Sequence, residues 1–307
     1  MARELLSIGE AMIEMSGGTA DGNWRMGYAG DTMNTAWYAR AFLDAAWTVS
    51  YFTALGTDRY SEGLKRFIAE AGIDTARILT VPERRPGLYF IHQEAGDRQF
   101  TYWRDSSAAR LLARDGAALR AALEGASHLY FSGITLAILE PGDRERFLDA
   151  VARRRAEGAT VCFDPNIRAR LWRGEDEIRD WLTRAGRVCD MVLPTFGDEQ
   201  ALFGDDGPAA TAARYAGLGA REVVVKNGRE PALIRRDGDD VRVPAIRVGA
   251  VVDATGAGDS FNGAYLAARL QGAGRAEAAS LAHRVASVCI GHHGALAPRG
   301  ALAGLAS

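Results

Sequence analysis

Short runs in which almost every residue is apolar recur along the chain, at Leu5–Gly9, Val49–Ala54, Leu129–Ser132, Thr160–Phe163, Met191–Leu193 and Val223–Val225. A strand with one wet face alternates apolar and polar residues, so unbroken apolar runs predict strands covered on both faces. Stretches of helical period lie between them. Ser61–Ala71 places Leu64, Phe67, Ile68 and Ala71 on one stripe. Arg144–Ala156, opened by Pro141-Gly142-Asp143, reads the same way, as do Asp176–Arg187 and Ala209–Leu218. Alternation of this kind predicts an α/β fold with a doubly wound, mostly parallel sheet flanked by helices.

Two segments break the rhythm. Residues 87–104, GLYFIHQEAGDRQFTYWR, form two strand-like arms around Glu94-Ala95-Gly96-Asp97, a hairpin loop by composition. Residues 10–30 are irregular and end in Tyr28-Ala29-Gly30-Asp31. Neither suits a crossover helix, and aromatic β arms inserted in an α/β chain often cover a pocket. The expectation is one domain over 1–307 with a small β lid drawn from about 10–30 and 87–104. No repeat or interdomain linker divides it.

Composition narrows the class. Hydrophobic residues make up 48% and charged residues 25% of the 307 positions, which excludes a disordered chain, a collagen-like fibre and a disulfide-stapled miniprotein. With 37 basic and 39 acidic side chains the net charge is -2, so no broad field recruits nucleic acid or an anionic membrane. An anionic ligand must therefore be held by a local site. Cys162, Cys189 and Cys289 lie far apart without metal-ligand spacing and read as buried free thiols. Acidic residues interrupt the N-terminal MARELLSIGEAMIEM, and no apolar run approaches the roughly 20 residues of a membrane span, so a cytoplasmic location is expected.

The strongest chemical signal is Val251-Val252-Asp253-Ala254-Thr255-Gly256-Ala257-Gly258-Asp259-Ser260-Phe261, followed by helical NGAYLAARL. A small-residue loop running into a helix, expected to start at about Asp259, lets backbone N–H groups converge where the helix dipole favours an anion. Asp259 fits two roles there. It can be an ordinary N-cap, or a carboxylate that accepts the proton of an alcohol attacking phosphorus. The loop is neither a GxxxxGK[ST] nor a GxGxxG fingerprint.

DATGAGDSF resembles the C-terminal signature of ribokinase-like (PfkB-type) carbohydrate kinases. Ala29-Gly30-Asp31-Thr32-Met33-Asn34 is similar to the N-terminal GG or GGD loop of that family, with Ala in place of the first Gly. The segments IGEAMIEMS, AGDTMNTAWYAR, TALGTDRYS, RPGLYFIHQEAGDRQFTYWRDSSAA, LYFSGITLAIL, FDPNIRARLW and EVVVKNG look like the 2-keto-3-deoxygluconate kinase branch, over residues 7–228. The resemblance implies a ribokinase-like fold and transfer of phosphate from MgATP to the 6-hydroxyl of a keto-deoxy sugar acid. It leaves room for a monovalent cation, and for a homo-oligomer joined through the lid.

Carried over residue by residue, the resemblance implies that Gly30, Asp31, Asn34, Tyr89, Tyr102 and Arg104 bind substrate. Arg suits the sugar carboxylate because its guanidinium grips in a bidentate way. Tyr102 and Arg104 are two apart and share a face, whereas Phe90 and Phe100 read as cross-strand packing. Asp164-Pro165-Asn166-Ile167-Arg168 resembles the family's D-x-N-x-R, with Arg168 near the transferred phosphate and Asn166 on the nucleotide side. Asp259 would be the base, at an ordinary Asp pKa of about 3.9, and the amides of Gly256, Ala257 and Gly258 would bind the phosphoryl group. Lys226-Asn227-Gly228 would approach the nucleotide through its backbone, and His283 would stand near adenine or on a helix surface. His292 and His293 read as rim residues. The family's Mg²⁺-organising N-x-x-E is altered to Thr195-Phe196-Gly197-Asp198, followed by Glu199. Asp198 or Glu199 must then supply the carboxylate, with Asp198, acting through water, the one carried forward. The alternatives are a PfkB-type kinase for 2-keto-3-deoxygalactonate, fructose, ribose or a nucleoside, or an inactive sugar-binding regulator. Arg104 argues against a neutral sugar, and the intact Asp259 loop argues against a regulator.

Overall fold

A computed structural model describes residues 3–17, 22–94 and 97–305. Ala95 and Gly96 of the expected hairpin loop, and 18–21 of the expected lid, lie outside the described residues. In chain order the first strands are β1 (Glu4–Ile8), β2 (Met12–Gly17), β3 (Trp24–Ala29), β4 (Thr48–Phe52), β5 (Ala54–Leu55), β6 (Leu79–Thr80), β7 (Gly87–Glu94) and β8 (Asp97–Trp103). They are followed by β9 (His128–Ser132), β10 (Thr160–Asp164), β11 (Met191–Val192), β12 (Glu222–Val225), β13 (Ala232–Arg236) and β14 (Asp239–Val243).

The main sheet has the order β14-β13-β12-β11-β10-β9-β1-β4. It is parallel from β4 to β12 and closes with two antiparallel edge strands, β13 and β14. β14 carries exposed Asp239 and Asp240 and β13 ends in exposed Arg236, in place of the unbroken apolar runs of the interior, so their pattern is weak in the sequence. Leu5 faces one hydrophobic core while Leu6 and Ile8 face the other, the period-2 consequence of covering both faces. Helices Asp31–Phe42, Ala257–Leu270 and Arg275–Cys289 supply the first core. Helices Pro141–Ala156 and Glu175–Arg187 help supply the second. Cys162, Cys189 and Cys289 are buried and unbridged. No described helix is long and apolar enough to cross a membrane.

A second sheet, β3-β2-β7-β8, stands over the C-terminal ends of the parallel strands. Its register pairs Glu14 with Tyr89 and Tyr89 with Tyr102, which puts all three on one face. Met12, Ala29, Tyr89, Ile91 and Ala295 form a small core beneath that face. The opposite face carries Phe90, which meets both Trp24 and Trp103 edge-on.

One close approach sets the architecture around the cleft. A Cβ built on Gly263 would fall 2.6 Å from the Thr35 carbonyl oxygen and 2.6 Å from Tyr38 Cβ, so the Asp31 and Ala257 helices cross nearly backbone to backbone. Gly263→Ala should therefore overpack this crossing and cost about 1–3 kcal/mol, seen as a lower denaturant midpoint at unchanged m. Gly142→Ala, where nothing lies within 4 Å of the new methyl, is the control and should be close to neutral. Equal midpoints for the two variants would contradict the packing argument.

Candidate active site

The cleft between the lid and the strand ends has a volume of about 850 Å³. Gly30, Asp31, Asn34, Tyr89, Tyr102, Arg104, Asn166, Arg168, Thr195, Asp198, Lys226 and Gly256–Asp259 all line it. Their chain positions span more than two hundred residues, and strand order alone brings them together. In open α/β sheets the carboxyl ends of the strands are where such a crevice forms.

Helix Ala257–Leu270 begins two residues earlier than expected, with Gly256 at its N-cap and no side-chain cap bond. Gly256 has φ 77, and a Cβ there would meet the Ala295 carbonyl oxygen at 2.5 Å, so glycine is required twice over. Asp259 is therefore the third helical residue rather than the N-cap. Of the three amides expected to bind an anion, that of Ala257 already donates to the Ala254 carbonyl at 3.2 Å. Helical register leaves the Gly258 and Asp259 N–H groups without an intrahelical acceptor, open toward the cleft. A Cβ on Gly258 would stand 3.8 Å from Lys226 Nζ, so the ammonium lies beside these amides.

The Lys226 side chain thus lines the cleft, the less favoured of the two sequence readings, which gave the backbone of Lys226-Asn227-Gly228 first place. Its Nζ donates to Asp164 Oδ2 at 2.8 Å and to Asn262 Oδ1 at 3.1 Å, below the cleft floor. Asn262 in turn donates to Asp164 at 2.6 Å and to the Tyr130 hydroxyl at 3.1 Å. Gly228 is exposed with φ 59 and lies outside the lining. It serves the turn after β12.

Asp259 Oδ2 accepts a hydrogen bond from Asn34 Nδ2 at 2.8 Å. Asn34 is itself oriented by its Oδ1, which accepts from the Gly30 N–H at 3.3 Å. Asp31 accepts from Asn166 Nδ2 at 2.8 Å, and Asn166 holds a left-handed φ of 34 to reach it. Asn166 therefore positions the Asp31 carboxylate, a contact the sequence reading did not assign to it.

The electrostatics differ from expectation. Burial, then the nearby charges of Asp31 and Asp164, push the Asp259 carboxyl up to about 7, against the pull of Asn34 and Lys226. The ordinary Asp value assumed from sequence does not survive this environment. Burial likewise raises Asp31. Desolvation raises Asp198 too, with Arg168 opposing it from across the rim.

Asp198 faces the cleft, whereas Glu199 is fully buried and bound by Arg214 at 2.7 Å and Tyr215 at 3.1 Å. Of these two neighbours, Asp198 is the one open to a cation in the cleft. Among the described residues no group of three or more His, Cys, Asp or Glu could cage a metal. A Mg²⁺ ion arriving with phosphates and keeping most of its waters suits such a sparse set. His283 is buried edge-on against Phe261 at 5.1 Å, with its pKa lowered by burial, and does not line the cleft. Its burial rules out the helix-surface position that was the other expectation for it. His293 is exposed, as a rim residue should be.

In the lid, Tyr89 stacks on Tyr102 at 5.5 Å and its hydroxyl donates to Glu14. Phe100 joins the same cleft face, and only Phe90 takes the packing role expected of both. Arg104 lies just past β8, and its Nη2 donates to Glu10, each side chain being buried. The guanidinium expected to meet a ligand carboxylate thus already has a protein carboxylate. Glu10, Asp164, Asn262 and Arg170 were missed as site residues in the sequence. For Asn262 the signal was its i+3 spacing from Asp259, which puts both on one helical face.

A model for pfkB family carbohydrate kinases matches residues 2–300. The chain is 40% identical over 309 residues to 2-dehydro-3-deoxygluconokinase of Escherichia coli (strain K12), covering 98% of this chain and 99% of that protein. The crystal structure of a PfkB protein from Polaromonas sp. JS666 superposes with a TM-score of 0.85 at 28% identity, covering 98% of this chain and 99% of that one. A ribokinase II of E. coli, solved in complex with ATP and Mg²⁺, shares the fold with a TM-score of 0.82 at 23% identity, covering 96% and 94% of the two chains.

The buried Arg104–Glu10 pair has a measurable consequence. Arg104→Ala leaves Glu10 buried without its cation, so stability should fall by about 3–5 kcal/mol. Adding Glu10→Gln should recover a large part of that loss. Chemical denaturation of both variants checks this, and an Arg104→Ala midpoint equal to wild type would contradict it.

Proposed function

The chain belongs to the pfkB family of carbohydrate kinases, and on that premise we propose that it transfers the terminal phosphoryl group of ATP to the 6-hydroxyl of 2-keto-3-deoxygluconate (2-dehydro-3-deoxygluconate), giving the 6-phosphate and ADP. One observation carries this reading. A raised-pKa carboxylate, Asp259, stands at the open N-terminus of a 14-residue helix and faces a cleft whose other wall is an aromatic, arginine-bearing lid.

Each group then has a task. Asp31 and Asn34 present an acceptor and a donor to sugar hydroxyls. Asp259 accepts the proton of the attacking 6-hydroxyl, held in place by Asn34. A carboxyl with a pKa near 7 is a better base than an ordinary Asp and remains substantially ionised at neutral pH. The open amides of Gly258 and Asp259, the Lys226 ammonium and the rim guanidinium of Arg168 oppose the charge on the transferring group. These donors, with Asp198 at the rim, would hold MgATP, and the bound ion supplies further charge neutralisation at the phosphates. Lid strands over the cleft exclude water, which limits loss of phosphate to hydrolysis. On this reading the reaction runs in the cytoplasm, where MgATP is supplied, and three free thiols fit a reducing compartment. The lid also supports a homo-oligomer, since Trp103 is 64% and Met26 46% exposed on its outer face, an apolar surface that a second copy would cover.

Asp259→Asn keeps the side-chain size but cannot accept the proton, so kcat should fall roughly 10²–10⁴-fold with MgATP affinity retained. In the wild type the working form is the ionised carboxylate, so kcat/KM should rise with pH up to the carboxyl's value of about 7 and level off above it. That acid limb should vanish from the residual activity of the variant. Retention of more than about a tenth of kcat would remove Asp259 as the base. A coupled assay across keto-deoxy acids and neutral sugars tests the substrate, with preference for a neutral sugar overturning the assignment.

Light scattering on a sizing column tests the lid. The wild type should elute as an oligomer and Trp103→Asp as a monomer. A monomeric wild type would overturn lid-to-lid association.

A further inference from the structure

The cations of the cleft are not equally available to a ligand. Arg104 is held by Glu10. Lys226 is held by Asp164 at the phosphate end. Arg168 stands at the rim near Asp198, whose carboxyl its charge pulls down against burial. Among the described residues Arg168 forms no ion pair, its Nη1 donating to the Ile167 carbonyl at 2.8 Å, and Arg170 differs from it in lying on an aromatic ring. The Arg170 side chain lines the cleft and is exposed, and among the described residues its guanidinium meets no carboxylate either.

What Arg170 meets is the ring of Tyr102, whose centre lies 3.9 Å from the guanidinium carbon, against 5.8 Å for Arg104 over the same ring. Tyr102 stacks on Tyr89, so the guanidinium caps a pile of two rings. Arg170 belongs to the segment after β10 of the main sheet, while Tyr102 is on lid strand β8. The contact therefore joins the two walls of the cleft. A guanidinium lying on an aromatic face keeps its N–H groups pointing outward in its plane, the geometry for bidentate capture of a carboxylate.

We propose that Arg170 is a specificity-determining residue that receives the carboxylate of the sugar acid and, through Tyr102, couples that contact to the lid. This inference rests on the sugar-acid reading above and adds the residue that makes the acid preferred over a neutral sugar. The charge sits at the lid end of the cleft, away from Asp259, as the two ends of a six-carbon acid require. The stack on Tyr102 holds the guanidinium in place, so little side-chain ordering opposes binding.

The test is steady-state kinetics of Arg170→Met and Arg170→Lys with MgATP and 2-keto-3-deoxygluconate, with the neutral methyl ester of the acid as competing ligand. Arg170→Met should raise KM for the acid about 10–150-fold, the worth of one charge-assisted contact. Its kcat should stay within about threefold, KM for MgATP should not move, and the preference for acid over ester should collapse. Arg170→Lys, which keeps the charge without the planar stack, should recover part of the affinity. Tyr102→Leu should raise KM for the acid several-fold, and no change there would remove the lid from the proposal. A KM for the acid within twofold of wild type in Arg170→Met would overturn the proposal, and so would equal losses for acid and ester. A lowered thermal midpoint at unchanged KM would overturn it as well, since it marks a structural stack. Failure of the sugar-acid reading looks different, because the wild-type enzyme itself would then prefer a neutral substrate.

Discussion

The hydrogen bond from Asn34 to Asp259 is the contact on which the rest of the site depends. It joins two helices whose first turns both line the cleft. It can form only because Gly263 lets those helices cross without an intervening side chain. Packing density leaves no slack at such a crossing, and a displacement of a few tenths of an ångström is felt at once. The Asp259 carboxylate, the proposed base, is thus aimed by helix packing set four residues away from it.

Around that bond the protein concentrates like charge. Asp31, Asp164 and Asp259 share the floor of the cleft with Lys226, the one ammonium among them. A helix N-terminus ordinarily favours an ionised carboxylate. Here burial and two neighbouring acids outweigh that dipole for Asp259, and the carboxyl is raised. Asp164 absorbs the lysine and two amide donors, leaving Asp259 with Asn34. The division separates a fully partnered carboxylate from the one proposed as the base. It resembles the general way environment assigns different tasks to identical groups.

The lid illustrates the same economy with cations. Burying Glu10 against Arg104 fixes the base of the lid but removes that guanidinium from the pool that a ligand can use. The exposed guanidinium on the main-sheet side, stacked on a lid tyrosine, stays available. Recognition of an acid thus falls to a residue that bridges two sheets. Lid position and substrate charge then report on each other.

The alternation of apolar runs and amphipathic stretches determined the parallel interior of the sheet and the lid arms, because double-sided burial and period-2 pleating leave marks within a few residues. The small-residue loop before Asp259 was equally legible, since convergent amides need residues without bulk. The antiparallel strands Ala232–Arg236 and Asp239–Val243 left no such mark, as a half-solvated edge with charges looks like a loop. Side-chain partners were decided by tertiary structure alone. Arg104 reads as a free lid cation until Glu10, ninety-four positions earlier, turns out to face it. Lys226 reads as the end of a strand until Asp164 and Asn262 draw its ammonium beneath the helix N-terminus. The Asp259 pKa and the burial of His283 follow from what packs around them. Spacing along a chain carries the geometry of one helix or strand, whereas desolvation and charge pairing depend on neighbours that only the completed fold brings within a few ångströms.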